Sequence, residues 1–176
     1  MSFGDAVKTC LRNYVTFSGR APRSEYWWFA LFVVLGDLVL GAVDDVLFGA
    51  RRGAVAPGAS DARAPSVLSG LFTLGMMPPL LAAGWRRMHD SGRSGLHLVY
   101  PLIVMAGIAS FAAFARGLDP LVAGGVGAIF TDLAGLVLGI AAIVFILSPF
   151  LVIWWLTRPS EPGPNRFGPA PVEATA

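Results

Sequence analysis

The sequence predicts an all-α membrane protein, and three observations support that prediction. Of its 176 residues, 55% are hydrophobic and only 14% are charged, whereas about 25% of the residues in a soluble domain are charged. The mean hydropathy of +0.66 is too high for a soluble domain of this size, which would need far more polar surface to cover its core. The apolar residues also fall into runs of about 20, the length that crosses a hydrocarbon core of about 30 Å as a helix.

The N-terminal segment has the spacing of a short amphipathic helix. Its apolar face would carry Phe3, Val7, Cys10, Leu11, Tyr14 and Phe17. We expect this helix to lie in the membrane interface with its apolar face toward the lipid. The same pattern fits a helix packed on its own protein equally well.

Four membrane-spanning helices are predicted after this segment. They cover about residues 26–48, 67–85, 96–115 and 133–156. Pro78 and Pro79 remove two backbone donors from the middle of the second span and should kink it. A helix break is predicted at Thr131-Asp132, because these residue types favour the start of a helix. Residues 121–130 would then form an interfacial or re-entrant piece.

The domain organisation is simple. Residues 1–157 form one transmembrane helical domain in this prediction. Within it, the Gly-, Ala- and Pro-rich residues 49–66 are a flexible loop. Residues 158–176 hold five prolines and are predicted to be a mostly disordered tail, apart from Asn165–Gly168.

The basic residues predict the orientation of the bundle. With four spans and a cytoplasmic N-terminus, nine of the 13 Lys and Arg residues lie inside, as the positive-inside rule requires. These are Lys8, Arg12, Arg20, Arg23, Arg86, Arg87, Arg93, Arg158 and Arg166. Both termini are therefore predicted to be cytoplasmic, and the turn at 18–23, the polar loop at 84–95 and the tail at 165–168 should meet on that face.

This cytoplasmic face is the predicted binding site. The candidate residues are Arg20, Arg23, Arg86, Arg87, His89, Asp90, Arg93, Asn165 and Arg166. A juxtamembrane Lys or Arg contributes about 1 kcal/mol toward anionic lipid, and arginine is shaped for forked contact with phosphate. Anionic headgroups or a partner protein are the expected ligands, while a net charge of only +2 gives no reason to expect nucleic acid. Alternatively, these residues only fix orientation and pair with Glu25, Asp90 and Glu161.

Two aspartates and one small-residue face inside the spans invite further hypotheses. Asp37 and Asp44 lie seven residues apart, on one face of the first span. A carboxylate at mid-depth costs on the order of 2.5–3.5 kcal/mol, so each should face protein or water. They could line a proton or cation path, or be hydrogen-bonded between helices. Gly135, Gly139 and Ala142 form a seam that suits close packing, either internally or in a homo-oligomer.

Four sequence blocks resemble a known family. They are the block around Asn13–Arg20, Arg23–Trp27, Arg86–Gly95 and Pro162–Pro169. In this order the chain resembles the bacterial membrane family named domain of unknown function 805, departing from its usual pattern at Met88 and Leu96. The resemblance implies an integral protein of the bacterial inner membrane. It implies no activity and no catalytic residues.

No catalytic set, metal site or cofactor site is predicted from the residues. His89 and Asp90 are adjacent, so their side chains tend to diverge, whereas a base and its orienting carboxylate usually come from separate places. No metal-ligand spacing such as H-E-x-x-H or C-x-x-C occurs. Three hypotheses remain: a non-enzymatic protein that binds lipid or a partner, a small oligomeric transporter or channel using Asp37, and an enzyme acting on a lipid or phosphate ester through His89 and Asp90.

Overall fold

The structure is a computed structural model that describes residues 1–48, 66–118 and 125–171, with side chains left undescribed at 115–118 and 125–132. All regular elements in these ranges are helical. They are α1 (Phe3–Arg12), α2 (Arg23–Phe48), α3 (Val67–Asp90), a 3₁₀ turn (Gly95–Val99), α4 (Tyr100–Leu118) and α5 (Gly125–Thr157). The predicted all-α class is therefore confirmed. Nearly all of the predicted loop at 49–66 lies outside the described residues.

Three helical segments are long and apolar enough to cross a membrane. They are Val67–Asp90, Gly95–Phe114 and Leu133–Thr157, and they correspond to the second, third and fourth predicted spans. The predicted first span falls on α2. With 26 residues and a rise of 1.5 Å per residue, α2 is about 39 Å long. That this helix also crosses the membrane stays a prediction.

The last helix corrects the sequence analysis. α5 runs without interruption through 33 residues from Gly125 to Thr157, so the predicted break at Thr131-Asp132 is wrong. Residues that favour an N-cap stabilise the start of a helix but do not impose one, and the apolar residues on both sides continue the helix. Residues 125–130 therefore belong to α5, while 121–124 lie outside the described residues.

The packing centre is an antiparallel pair formed by α2 and α3. Its core contains Phe29 and Val33 of α2 and Ala83 of α3. Gly36 lets the two helices approach closely, because a Cβ at this position would lie 2.4 Å from the ring of Phe72. A larger residue at 36 would therefore displace the ring of Phe72.

The N-terminal helix α1 packs on this pair. Ala6 and Cys10 are fully buried, and Phe3 makes an edge contact with Trp28. The structure therefore supports the alternative that this helix packs on its own protein. Leu11 and Tyr14, also on the predicted apolar face, stay largely exposed, so an additional position in the membrane interface stays a prediction.

A second core joins the C-terminal end of α3 to that of α5. Met88 packs with Val152 and Leu156, and Trp155 covers them. Away from this end, α4 and α5 carry mostly exposed apolar side chains, as expected for helices that face lipid. The ends of α3 and α5 that meet here position the site described next.

Candidate functional site

Three distant parts of the chain meet beside the end of α3, as the sequence predicted. The turn before α2, the last turn of α3 and the tail after α5 are joined by side-chain hydrogen bonds. We call this arrangement the clasp. Its members are Gly19, Arg20, Arg87, His89, Asp90, Ser160, Glu161, Gly163, Asn165 and Phe167.

Asp90 is the centre of the clasp. Its side chain is fully buried, and Oδ1 accepts a hydrogen bond of 3.0 Å from Nε of Arg20. Oδ2 accepts one of 2.5 Å from Nη1 of Arg87 and another from the hydroxyl of Ser160. The backbone carbonyl of Asp90 accepts from the N–H of Glu161 at 2.8 Å. A buried carboxylate needs such partners, because burying an unpaired charge is costly.

The two guanidinium groups also satisfy backbone carbonyls. Arg87 donates from Nε to the carbonyl of Leu156 at 3.0 Å and from Nη2 to that of Arg158. The carbonyls at a helix C-terminus lack intrahelical donors and carry partial negative charge, so a cation is stabilising there. Arg20 donates to the carbonyls of Glu161 and Gly163 at 2.7 and 2.6 Å. Both cations are therefore fully engaged within the protein.

His89 and the tail form the other half of the clasp. Nδ1 of His89 lies 3.0 Å from the carbonyl of Gly19, which can only accept, so this nitrogen carries the proton. The ring of Phe167 stacks parallel to the His89 ring at 3.8 Å. Asn165 donates from Nδ2 to the carbonyl of His89 at 2.9 Å. Residues 158–167 of the tail are thus tied to the clasp, a longer stretch than the Asn165–Gly168 segment excepted from the predicted disorder.

A glycine is required where the tail crosses the loop after α3. Gly92 has a φ of +73°, which disfavours any side chain, and an added Cβ would lie 2.7 Å from the carboxylate of Glu161. The Asp90-Ser91-Gly92 turn predicted from the sequence is thus in close contact with the tail at Glu161.

Arg86 points away from the clasp and pairs with Glu25 at 2.8 Å, with both side chains buried. The thiol of Cys10 lies beside them, 3.8 Å from Oε1 of Glu25. Burial, together with the neighbouring Glu25 charge, raises the pKa of Cys10 to about 12. Nε and Nη2 of Arg86 have no hydrogen-bond partner within the described part of the chain.

The other predicted arginines lie at the edge of the clasp. Arg93 is half-buried, with its guanidinium carbon 5.7 Å from the centre of the Trp155 ring. Arg23 and Arg166 are exposed. Arg158, which the sequence analysis did not place among the site residues, is also exposed and lies over Trp154 at 4.9 Å. The arginines thus divide into an engaged group, with partners inside the protein, and an outer group at the edge of the clasp. The engaged arginines are Arg20, Arg86 and Arg87, and the outer arginines are Arg23, Arg93, Arg158 and Arg166.

The two aspartates of the predicted first span have different surroundings. Asp44 is buried and accepts hydrogen bonds from the backbone N–H groups of Leu68 and Ser69 at 3.0 and 2.9 Å, and from the Ser69 hydroxyl at 3.0 Å. It therefore caps the start of α3 from the neighbouring helix. Asp37 accepts from the hydroxyl of Thr73 at 2.7 Å and is exposed on the protomer.

The small-residue seam on α5 is open. A Cβ at Gly135 or Gly139 would meet no atom within 4 Å, and Ala142 is exposed. Within the described residues, no atom therefore covers the two glycine positions of the seam. Packing of this seam between subunits stays a proposal.

The partners of His89 and Asp90 decide whether these two side chains can act together as a catalytic pair. The carboxylate of Asp90 faces two guanidinium groups and Ser160, while the ring of His89 faces Gly19 and Phe167. The two side chains therefore do not form a base with an orienting carboxylate. Among the described residues, no group of three His, Cys, Asp or Glu side chains could hold a metal ion.

Sequence comparison gives the same family as the resemblance noted above. Residues 14–169 match the family described as "Protein of unknown function (DUF805)". The chain belongs to this family. All three segments of the clasp lie within the matched region.

Two curated relatives of this DUF805 chain come from Escherichia coli strain K12. Inner membrane protein YhaH is 34% identical over 97 residues, which cover 55% of this chain and 72% of the relative. Inner membrane protein YhaI is 38% identical over 85 residues, which cover 48% of this chain and 60% of the relative. No solved structure matches the chain significantly. With its apolar helices, the chain is a membrane protein whose relatives are named as inner membrane proteins.

Proposed function

We propose that this chain is a four-span, non-enzymatic protein of the bacterial inner membrane, with both termini in the cytoplasm. Its outer arginines engage anionic lipid headgroups, and the clasp holds them in position. The observation that supports this most directly is the placement of exposed arginines near tryptophans at one end of the bundle. Arg158 stacks over Trp154, and Arg23 lies one helical turn before Trp27.

This arrangement is typical of a membrane interface. Tryptophan is enriched at headgroup level because its ring is apolar while its N–H needs a polar partner. A guanidinium beside such a ring is therefore expected at the same depth as lipid phosphates. Each Lys or Arg there contributes about 1 kcal/mol toward anionic lipid.

The engaged arginines have a different role in this proposal. Arg20 and Arg87 pair with Asp90 and donate hydrogen bonds to backbone carbonyls, and Arg86 pairs with Glu25. They fix the relative positions of the three segments. Lipid contact then falls to Arg23, Arg93, Arg158 and Arg166.

The test compares lipid binding by two variants with equal charge changes. In the first, Arg23, Arg158 and Arg166 are replaced by Gln; in the second, Arg51, Arg52 and Arg63 of the predicted outer loop are replaced by Gln. Protein is reconstituted with phosphatidylglycerol and phosphatidylcholine, and the anionic fraction of bound lipid is measured. We expect a loss of anionic preference only in the first variant. If both variants prefer anionic lipid equally, the proposal is refuted. In that case, an identified protein that binds the wild type but not the first variant would favour the partner-protein alternative.

A transporter or channel is a second candidate, favoured by one observation. Asp37 is exposed on the protomer yet lies in the middle of an apolar helix with Thr73 as a hydrogen-bond partner. A carboxylate at such a depth is expected to face an aqueous path or another subunit. Asp37→Asn should abolish cation or proton flux in proteoliposomes, with Asp5→Asn on α1 as control. Absence of flux in the wild type would remove this candidate.

A homo-oligomer through α5 is the related proposal. The open seam at Gly135, Gly139 and Ala142 would let a second α5 approach closely. Gly139→Leu should lower the oligomer fraction measured in detergent, whereas Gly107→Leu on α4, also with an open Cβ position, should leave it unchanged.

The enzyme hypothesis has the least support. A lipid or phosphate-ester hydrolase acting through His89 and Asp90 needs those side chains to reach a substrate. Both are instead occupied by partners inside the clasp.

A further inference from the structure

An open groove lies beside the clasp, between the start of α2 and the end of α5. Its volume is about 550 Å³, within the range of sites that hold small molecules. The lining residues are Arg23, Ser24, Trp27, Trp28, Leu31 and Thr157.

The lining changes from charged to apolar along α2. Arg23 and Ser24 lie at one end, the two tryptophans follow one turn later, and Leu31 lies a further turn along the helix. From Arg23 to Leu31 the helix rises by about 12 Å. A ligand that matches this order has an anionic group at one end and an apolar chain at the other.

The deep end of the groove continues into an apolar helix surface. Beyond Leu31, the side chains of Val34, Leu35 and Leu38 are all exposed, Leu38 by 63%. An apolar chain lying on Leu31 would therefore extend along a surface that needs a hydrocarbon cover. The exposed guanidinium of Arg23 offers several N–H donors to a phosphate at the other end.

We infer that this groove binds one anionic glycerophospholipid, with its phosphate on Arg23 and one acyl chain over Trp28 and Leu31. The inference rests on the proposed function and narrows it to one place and one orientation. The charge of Arg23 selects the anionic headgroup. The apolar lining selects a lipid over a free phosphate, which would leave the tryptophans and Leu31 uncovered.

The test uses native mass spectrometry of the full chain in detergent, titrated with phosphatidylglycerol. Arg23→Gln removes the cation, and Leu31→Trp fills the deep end of the groove. The controls are Arg12→Gln, an exposed arginine on α1, and Leu102→Trp, an exposed leucine of α4 that does not line the groove. We expect the retained lipid to fall about fivefold for Arg23→Gln, as about 1 kcal/mol implies. A similar fall is expected for Leu31→Trp, with no change in either control.

Further arms keep the test decisive. Thr157→Phe narrows the groove from α5 and replaces Leu31→Trp if that variant does not fold, as judged by thermal unfolding. A phosphatidylglycerol with a photoreactive group in its headgroup should crosslink near Arg23 and Ser24, and one labelled in its chain should crosslink near Leu31. Glycerol phosphate, which lacks acyl chains, should not compete.

The outcomes separate this inference from the proposed function. If the three-arginine variant loses its anionic preference while Leu31→Trp and Thr157→Phe retain the lipid, the groove inference fails and the proposed function stands. Crosslinks spread evenly over all apolar helices, or competition by glycerol phosphate, would also overturn the inference. If no variant loses its preference for anionic lipid, both the groove inference and the proposed function are refuted.

Discussion

The phenol of Tyr14 donates a hydrogen bond to the backbone carbonyl of Gly75. In a helix this carbonyl would accept from the N–H four residues later, but that residue is Pro79, which has no N–H. The same solution recurs in α5, where the hydroxyl of Ser148 donates at 2.7 Å to the carbonyl of Phe145, left free by Pro149. An unsatisfied carbonyl in hydrocarbon is costly, so neighbouring side chains replace the missing donor.

Because Tyr14 supplies the donor that Pro79 lacks, substitutions at these two positions should have coupled effects on stability. Tyr14→Phe should lower the free energy of unfolding by about 1 kcal/mol, because the Gly75 carbonyl loses its donor. In a Pro79→Ala background the helix regains its N–H, so the same substitution should cost much less. Thermal unfolding of the two single variants and the double variant measures the coupling. Equal costs of Tyr14→Phe in both backgrounds would contradict this account.

Removing the charge at the centre of the clasp should release the tail. Asp90→Asn leaves the buried guanidinium groups of Arg20 and Arg87 without their carboxylate, which costs on the order of 3–5 kcal/mol. We expect a lower unfolding temperature and rapid proteolysis within residues 158–171. Limited proteolysis followed by mass spectrometry measures both the site and the rate. Asp5→Asn, on the surface of α1, is the control, and an equally protected tail in Asp90→Asn would show that the clasp does not depend on this charge.

Burial of Cys10 predicts slow and pH-dependent alkylation. The reactive form is the thiolate, and burial raises the pKa of the Cys10 thiol from 9.0 to about 12. Maleimide labelling of the folded protein between pH 7 and 9 should therefore be negligible, and labelling should become fast in denaturant. Because the unfolded chain releases this proton near its ordinary pKa and the folded chain holds it, stability should fall as the pH rises from about 9 toward 12.

A second cysteine provides the control for that experiment. In a Cys10→Ser background, Lys8→Cys places a thiol on the exposed face of α1, and it should label rapidly at pH 8. If the folded wild type labels as fast as this variant, α1 does not stay packed on α2.

Asp44 should stabilise α3 more than the residue at its N-cap does. Ser66 occupies the N-cap position but makes no side-chain hydrogen bond there, whereas Asp44 accepts from two backbone N–H groups of the first turn. Asp44→Ala should therefore cost about 1–2 kcal/mol, and Ser66→Ala very little. Thermal unfolding of the two variants decides between them. A larger loss for Ser66→Ala would assign the cap to the local residue instead.

The four-span arrangement predicts the location of reporter fusions. A reporter joined after residue 90 or at the C-terminus should be active in the cytoplasm, and one joined after residue 57 or 117 should be active on the outer side. The physical reason is the excess of basic residues on the predicted inner segments. Periplasmic activity of the C-terminal fusion would contradict the proposed orientation.

Local sequence predicted the helices and the meeting of the three segments well, because both depend on runs of apolar residues and on the distribution of basic residues. It did not predict the contacts of the tail. A proline-rich segment has no helical or strand periodicity, and its contacts here are with Arg20 and Asp90, which lie 70 or more residues earlier. The role of Asp44 was open for the same reason: its partners on α3 are 24 and 25 residues away.

The clasp joins residues that a ribosome makes at very different times. Arg20 is separated from Asp90 by 70 positions and from Gly163 by 143. Arg87 and Asp90 are therefore synthesised before Ser160 exists to complete their contacts. A stalled or shortened chain would keep these charges without part of their partners, so closure of the clasp distinguishes a finished molecule from an unfinished one.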